Sequence, residues 1–174
     1  MRLRGAVAAV ITAVAMTLTA TLPASAARET FTDRRDDARR GVDIRTVTVV
    51  NEDRIVVRTT FDSLSRDGST GLSVYFDTDR RNHGPEYAAV GGLYPGTDWQ
   101  ALRVKGWNDR NPTLLLRCDI DLRVRYARAT ATYDLDRRCL RRPDDIRVTS
   151  KSGGPGRNDW APRHQTFYPA VAHR

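Results

Sequence analysis

Methionine, cysteine, histidine and lysine are all scarce in this chain of 174 residues. There are two methionines (Met1, Met16), two cysteines (Cys118, Cys139), three histidines (His83, His164, His173) and two lysines (Lys105, Lys151). Two cysteines cannot make a disulfide-dense scaffold. Their spacing is too wide for a C-x-x-C pair, and no nearby histidine completes a zinc set. No nucleophile elbow, phosphate-cradling glycine motif or zinc signature appears. All three histidines fall in apparent loop or tail. Sustained helical stripes and internal repeats are missing too, and beyond residue 22 no stretch is apolar enough to span a bilayer.

The one long apolar run is at the start. Met1-Arg2-Leu3-Arg4 is basic, Gly5 to Leu22 carries no charge, Pro23 breaks any helix, and Ala24-Ser25-Ala26 is a small-residue cleavage pattern. The expectation is a signal peptide over 1–26, cleaved to release a secreted, extracellular protein with no membrane span. A retained anchor would need a more hydrophobic run than this Ala- and Thr-rich one. Cleavage leaves 148 of the 174 residues, about one domain. The organisation read from composition is a polar N-terminal arm over 27–40 and a single domain over 41–174.

Charge is plentiful and mixed. Without the leader's two arginines, 27 basic residues face 21 acidic ones, a net charge of +6. The arginines are dispersed among aspartates, as in Asp33-Arg34-Arg35-Asp36-Asp37, and no basic run is interleaved with aromatics. That pattern argues against a nucleic-acid partner and for a solvated mixed surface. Weak attraction to anionic wall polymers is compatible with it.

After residue 40 the apolar period is two. Strands are predicted at 45–49 and 55–61, paired as a hairpin through Asn51-Glu52-Asp53. Others are predicted at 72–76, 87–90, 101–104, from 114, on either side of Arg128-Ala129, and at 146–149. Residues 151–158 read as a Gly-rich loop. About nine strands with Gly, Pro, Asn and Asp turns predict an all-β fold, an antiparallel, jelly-roll-like β-sandwich.

An oxidising compartment favours a Cys118–Cys139 disulfide. A turn at Arg128-Ala129 sets Cys118 opposite Cys139, Leu122 opposite Leu135 and Val124 opposite Tyr133, and gathers the apolar side chains on one face. Asp121 opposite Asp136 is the misfit of that register and calls for neighbouring arginines. The closed loop should stabilise the fold by roughly 3 kcal/mol.

The acidic loop after Tyr75-Phe76 is a candidate calcium site. Asp77, Asp79 and the returning Glu86 supply three carboxylates, although Arg81 and Ala88 stand where an EF-hand needs ligands. The other reading is a turn in which the aspartates cap backbone groups and pair with Arg80 or Arg81. Candidate ligand-stacking aromatics are Tyr87, Trp99, Trp107 and Trp160, for which the competing role is filling the core or covering its ends.

The order Asp43-Ile44-Arg45, Tyr75-Phe76-Asp77-Thr78-Asp79, Gly84-Pro85-Glu86-Tyr87, Arg138-Cys139-Leu140 and Asp159-Trp160 resembles small secreted β-sandwich proteins of actinobacteria. More distantly, the strand followed by Asp-Thr-Asp and Gly-Pro-Glu-Tyr is similar to DOMON and family 9 carbohydrate-binding modules. That likeness implies a jelly roll binding sugar or haem, in some members with calcium. Haem ligation there resembles a Met/His arrangement, and both methionines lie in the leader, so the domain is not expected to bind haem. The functional expectation is a secreted, non-catalytic binding module for a glycan or cell-wall surface, with calcium as a stabilising ion. A protein-interaction or inhibitor-like domain is the first alternative. A small glycoside hydrolase is the second, and it would require two close carboxylates in a cleft.

Overall fold

A computed structural model describes residues 27–35, 37–154 and 157–174; the predicted leader lies outside them. Among the described residues, twelve strands form two antiparallel sheets packed face to face. The first sheet has the order β1 (Arg28–Thr32), β2 (Ile44–Asn51), β3 (Arg54–Phe61), β9 (Thr130–Asp136), β8 (Ile120–Arg125). The second runs β11 (Arg157–Ala161), β10 (Asp145–Gly154), β4 (Gly71–Asp77), β5 (Tyr87–Gly92), β6 (Trp99–Arg103), β7 (Thr113–Leu114), and β12 (Val171–Ala172) also pairs with β10. No helix among these residues is long and apolar enough to cross a membrane.

The alternation predicted from sequence places the core. Val47 and Val49 of β2, Ile55 and Val57 of β3, and Tyr133 and Leu135 of β9 meet Leu72, Val74 and Phe76 of β4 and Ile146 and Val148 of β10, all at most 1% exposed. Burying a side chain of this size contributes about 1.5–3 kcal/mol, so this double row dominates the stability. Tyr133 also donates its hydroxyl hydrogen across the gap to the Leu72 carbonyl, 2.9 Å away. Gly91 allows this close approach: a Cβ there would lie 2.9 Å from Leu122 and 3.1 Å from the Tyr133 hydroxyl.

Three strands beyond the nine expected account for the difference in count: β1, β11 and β12. The 27–40 segment is no loose arm throughout, because Arg28–Thr32 pairs along β2 from Arg28 opposite Val50 to Thr32 opposite Thr46. Residues 151–158 are largely a hairpin, with Ser150 opposite Ala161 and Gly154 opposite Arg157. These edge strands are polar because one flank and one face meet water, so apolar alternation does not mark them.

The β8–β9 hairpin is shifted by two residues from the expected register. Leu122 faces Tyr133 and Val124 faces Ala131. A shift of two leaves every side chain on its face, so hydrophobic patterning sees no difference. The 3-10 turn Arg137–Leu140 takes up the two residues and still brings Cys139 to Cys118, with a disulfide and a Cα separation of 5.1 Å. The like-charge pair becomes Asp121 opposite Asp134. Arg123 bridges it, at 3.3 Å from Asp121 and 2.8 Å from Asp134, and Arg54 joins Asp134 to Asp119.

One edge of β10 is shared by three partners. β11 covers Ser150–Gly154 and β12 covers Asp145 and Ile146. Between them, the Tyr168 amide donates to the Val148 carbonyl at 3.0 Å and the Thr149 hydroxyl donates to the Thr166 carbonyl. Asn51 of the first sheet holds the tail by donating to the Val171 carbonyl at 3.0 Å.

Candidate functional site

The outward face of the second sheet carries an aromatic cluster. Tyr75 of β4 and Trp160 of β11 stack at 5.9 Å with planes 9° apart. Trp107, from the loop after β6, reaches both, at 5.5 Å from Tyr75 and 6.0 Å from Trp160, and packs on Phe167 of the tail at 4.7 Å. His164 meets the Trp160 ring edge-on at 4.8 Å. Lys151 lies 5.0 Å over Trp160, and the Arg147 guanidinium 5.3 Å over Phe167. All four large rings are half-buried. Burial raises the Tyr75 pKa above its ordinary value, with a partial offset from Ser73. The rings cover much of one another and leave part of each open to solvent.

A cleft of about 550 Å³ adjoins the cluster, lined by residues 82–86, 103–106, Asp109 and Thr113. Gly84 and Gly106 line it and also hold Trp107 in place. A Cβ at Gly84, whose φ is +106°, would lie 3.1 Å from the Trp107 ring and 3.2 Å from Gly106. Only glycine tolerates both that backbone conformation and that contact. Arg103 and Lys105 are exposed in the cleft. Its carboxylates are engaged: Glu86 accepts from the Thr78 amide at 2.7 Å, and Asp109 accepts from the Lys105 and Asn111 amides at 2.8 and 2.9 Å.

Of the four candidate stacking residues, the structure unites Trp107 and Trp160 only. Tyr87 is 5% exposed and sits in the core opposite Phe76, so it cannot meet a ligand; a strand residue paired with an inward-facing one shares its side of the sheet. Trp99 is 40% exposed but stands apart, donating its indole N–H to the Ile120 carbonyl at 3.1 Å. Tyr75 and Phe167 complete the cluster and were missed. Tyr75 lies in the strand predicted at 72–76, on the face opposite Leu72, Val74 and Phe76, and no local pattern marks Phe167.

The three loop carboxylates are likewise kept apart in their roles. Asp77, 1% exposed, pairs with Arg147 directly across the β4–β10 ladder and accepts from the Asp79 amide at 3.1 Å. Asp79 takes the Arg81 amide and guanidinium, and Arg81 lowers its pKa by those hydrogen bonds. Glu86 also accepts from the Thr78 hydroxyl at 3.2 Å. The capped, arginine-paired turn is the observed arrangement.

A different set of carboxylates converges. Asp33 follows β1, Asp37 lies in the β1–β2 loop and Asp159 is on β11; one oxygen from each lies within 4.8 Å of the others. Local spacing gives no sign of the set, because Asp159 is more than a hundred residues from the other two.

Comparison of the chain with family models, curated proteins and solved structures gives no match. Function is therefore argued from these residues alone.

Proposed function

We propose that the chain is a secreted binding module for a glycan or cell-wall polymer, and that it binds through the Tyr75–Trp107–Trp160–Phe167 cluster and the adjoining cleft. The observation that carries this reading is the contact of Trp107 with Gly84: it makes an aromatic surface and a polar cleft continuous. Sugars present alternating C–H faces and hydroxyls, which suit rings flanked by polar groups. Lys105, Arg103 and Lys151 give the surface a cationic rim that favours an acidic glycan. Binding rather than hydrolysis is supported by the state of Glu86 and Asp109, each held by backbone N–H donors.

The test is titration of the purified chain with neutral and uronate-containing oligosaccharides and wall polymers, followed by tryptophan fluorescence. The expected result is a saturable change, weakened at least tenfold in Trp107→Ala and weakened by salt for the acidic ligands. No response to any member of the panel, or an unchanged response in Trp107→Ala, would reject the reading.

A further inference from the structure

The set of Asp33, Asp37 and Asp159 is set apart by what surrounds it. Asp33 is 7% exposed and Asp159 5%, yet among the described residues no arginine or lysine pairs with any of the three. Burial is the largest influence on Asp33 and holds its carboxyl at about 7, with repulsion from Asp159, Asp37 and Asp43 adding to it. Asp159 is raised in the same way, against the hydrogen bonds it accepts from the amides of Ile44 at 2.6 Å and Trp160 at 2.7 Å. Buried carboxylates without a counter-charge either keep a proton, as the raised carboxyls of Asp33 and Asp159 do, or take a cation among them.

A second observation, outside the carboxylates, points the same way. The Tyr168 side chain is 6% exposed and stacks on Phe31 at 4.5 Å. Its hydroxyl lies in the field of all three aspartates, of which Asp33 acts most strongly. That hydroxyl and Asp33 Oδ2 approach each other without reaching ordinary hydrogen-bond geometry, and neither has another hydrogen-bond partner although both are buried. A buried hydroxyl oxygen and a buried carboxylate oxygen so left each forfeit a hydrogen bond that water would otherwise supply. The carboxylate oxygen is a ligand of the type a hard cation takes, and the hydroxyl can donate to such a ligand or to a water bound with it.

We propose that Asp33, Asp37 and Asp159 bind one calcium ion, with the Tyr168 hydroxyl oriented to the same centre. The donors are all oxygen, which suits calcium and not zinc or copper. Opposed oxygens on one calcium stand about 4.8 Å apart, and the three carboxylates lie within that span. Exposed Asp37 leaves room for water to complete the irregular sphere of six to eight oxygens that calcium accepts. The ion would fasten β1 and the β1–β2 loop of the first sheet to β11 of the second, where Asp159 already reaches across to the Ile44 amide. The site goes beyond the glycan reading and does not depend on it.

The experiment is thermal unfolding of the purified chain in calcium, magnesium and EDTA, with terbium luminescence sensitised by the adjacent Tyr168 and Trp160. At calcium about 100-fold above its dissociation constant, linkage predicts a midpoint roughly 5–10 °C higher than in EDTA. Asp37 is exposed and its charge only repels its neighbours, so Asp37→Asn should not lower the EDTA midpoint, should weaken calcium binding at least tenfold and should weaken the terbium signal with it. Asp79→Asn, in the other acidic loop, should retain both responses. Equal midpoints in calcium and EDTA would overturn the proposal. So would a calcium response kept in Asp37→Asn and lost in Asp79→Asn, and an equal response to magnesium would overturn the assignment to calcium.

Discussion

Two acidic regions of this molecule have similar compositions and opposite characters. In the Asp77–Glu86 loop every carboxylate has a partner from the chain itself: Arg147 for Asp77, Arg81 for Asp79, and the Thr78 amide and hydroxyl for Glu86. At the sandwich edge, Asp33 and Asp159 are also buried, a little less deeply than Asp77, but have backbone amides and each other for company. The first region is closed by its own cations and the second is left negative. What separates them is the arrival of an arginine from a neighbouring strand. Arg147 stands opposite Asp77 in the β4–β10 ladder, whereas the cross-strand neighbour of Asp159 is Ser152.

Charge-removing substitutions should therefore act with opposite signs in the two regions. Asp77→Ala should be the most disruptive, lowering stability by about 3 kcal/mol in denaturant unfolding, because Arg147 is left half-covered without its partner. The loss should be the same with and without calcium. Asp33→Asn should do the reverse in EDTA at pH 8, raising stability by about 1 kcal/mol, since it removes a buried charge and supplies an amide that can donate to Asp159. A loss of stability there would break the comparison.

The pH dependence should separate the regions next. The Asp33 carboxyl, raised from 3.8 to about 7, binds its proton more tightly in the folded state. Its contribution is complete below pH 4 and is lost as pH rises through 7. Asp79, held low by Arg81, contributes above pH 4 and loses that contribution as pH falls below it. Unfolding midpoints in EDTA should therefore fall between pH 5 and 7 in the native chain, and fall less in Asp33→Asn. The smallest effect is expected for Asp79→Asn: its pair with Arg81 is exposed and local, so the midpoint at pH 7 should not move measurably.

The sequence was most informative where the chain alternates. Ile55, Val57, Leu72, Val74 and Phe76 announced their strands and their shared core face, and two cysteines in a predicted extracellular chain announced their bond. It was least informative where geometry depends on pairing. The β8–β9 register slipped by two because an even shift preserves every face, and the extra residues disappeared into a turn at Arg137–Leu140. The local spacing of the Asp77–Glu86 carboxylates offers both a ligand set and a capped turn, and it does not show the arginine opposite Asp77, which lies on a strand 70 residues away. The cluster of Asp33, Asp37 and Asp159 needed β1 and β11, two polar edge strands that periodicity does not mark. The aromatic surface was half legible: Trp107 and Trp160 were candidates, but only the outward face of β4 adds Tyr75 to them.

The return of the tail to β10 has a consequence for solubility. The Tyr168 amide, the Thr166 carbonyl and β12 occupy the stretch of β10 that β11 leaves open, beside Ile146 and Val148. Without residues 166–174, that stretch would be an open hydrogen-bonding edge next to apolar side chains, a template on which a second chain can add its own strand. The tail thus covers an edge on which another strand could add, and its removal should promote self-association.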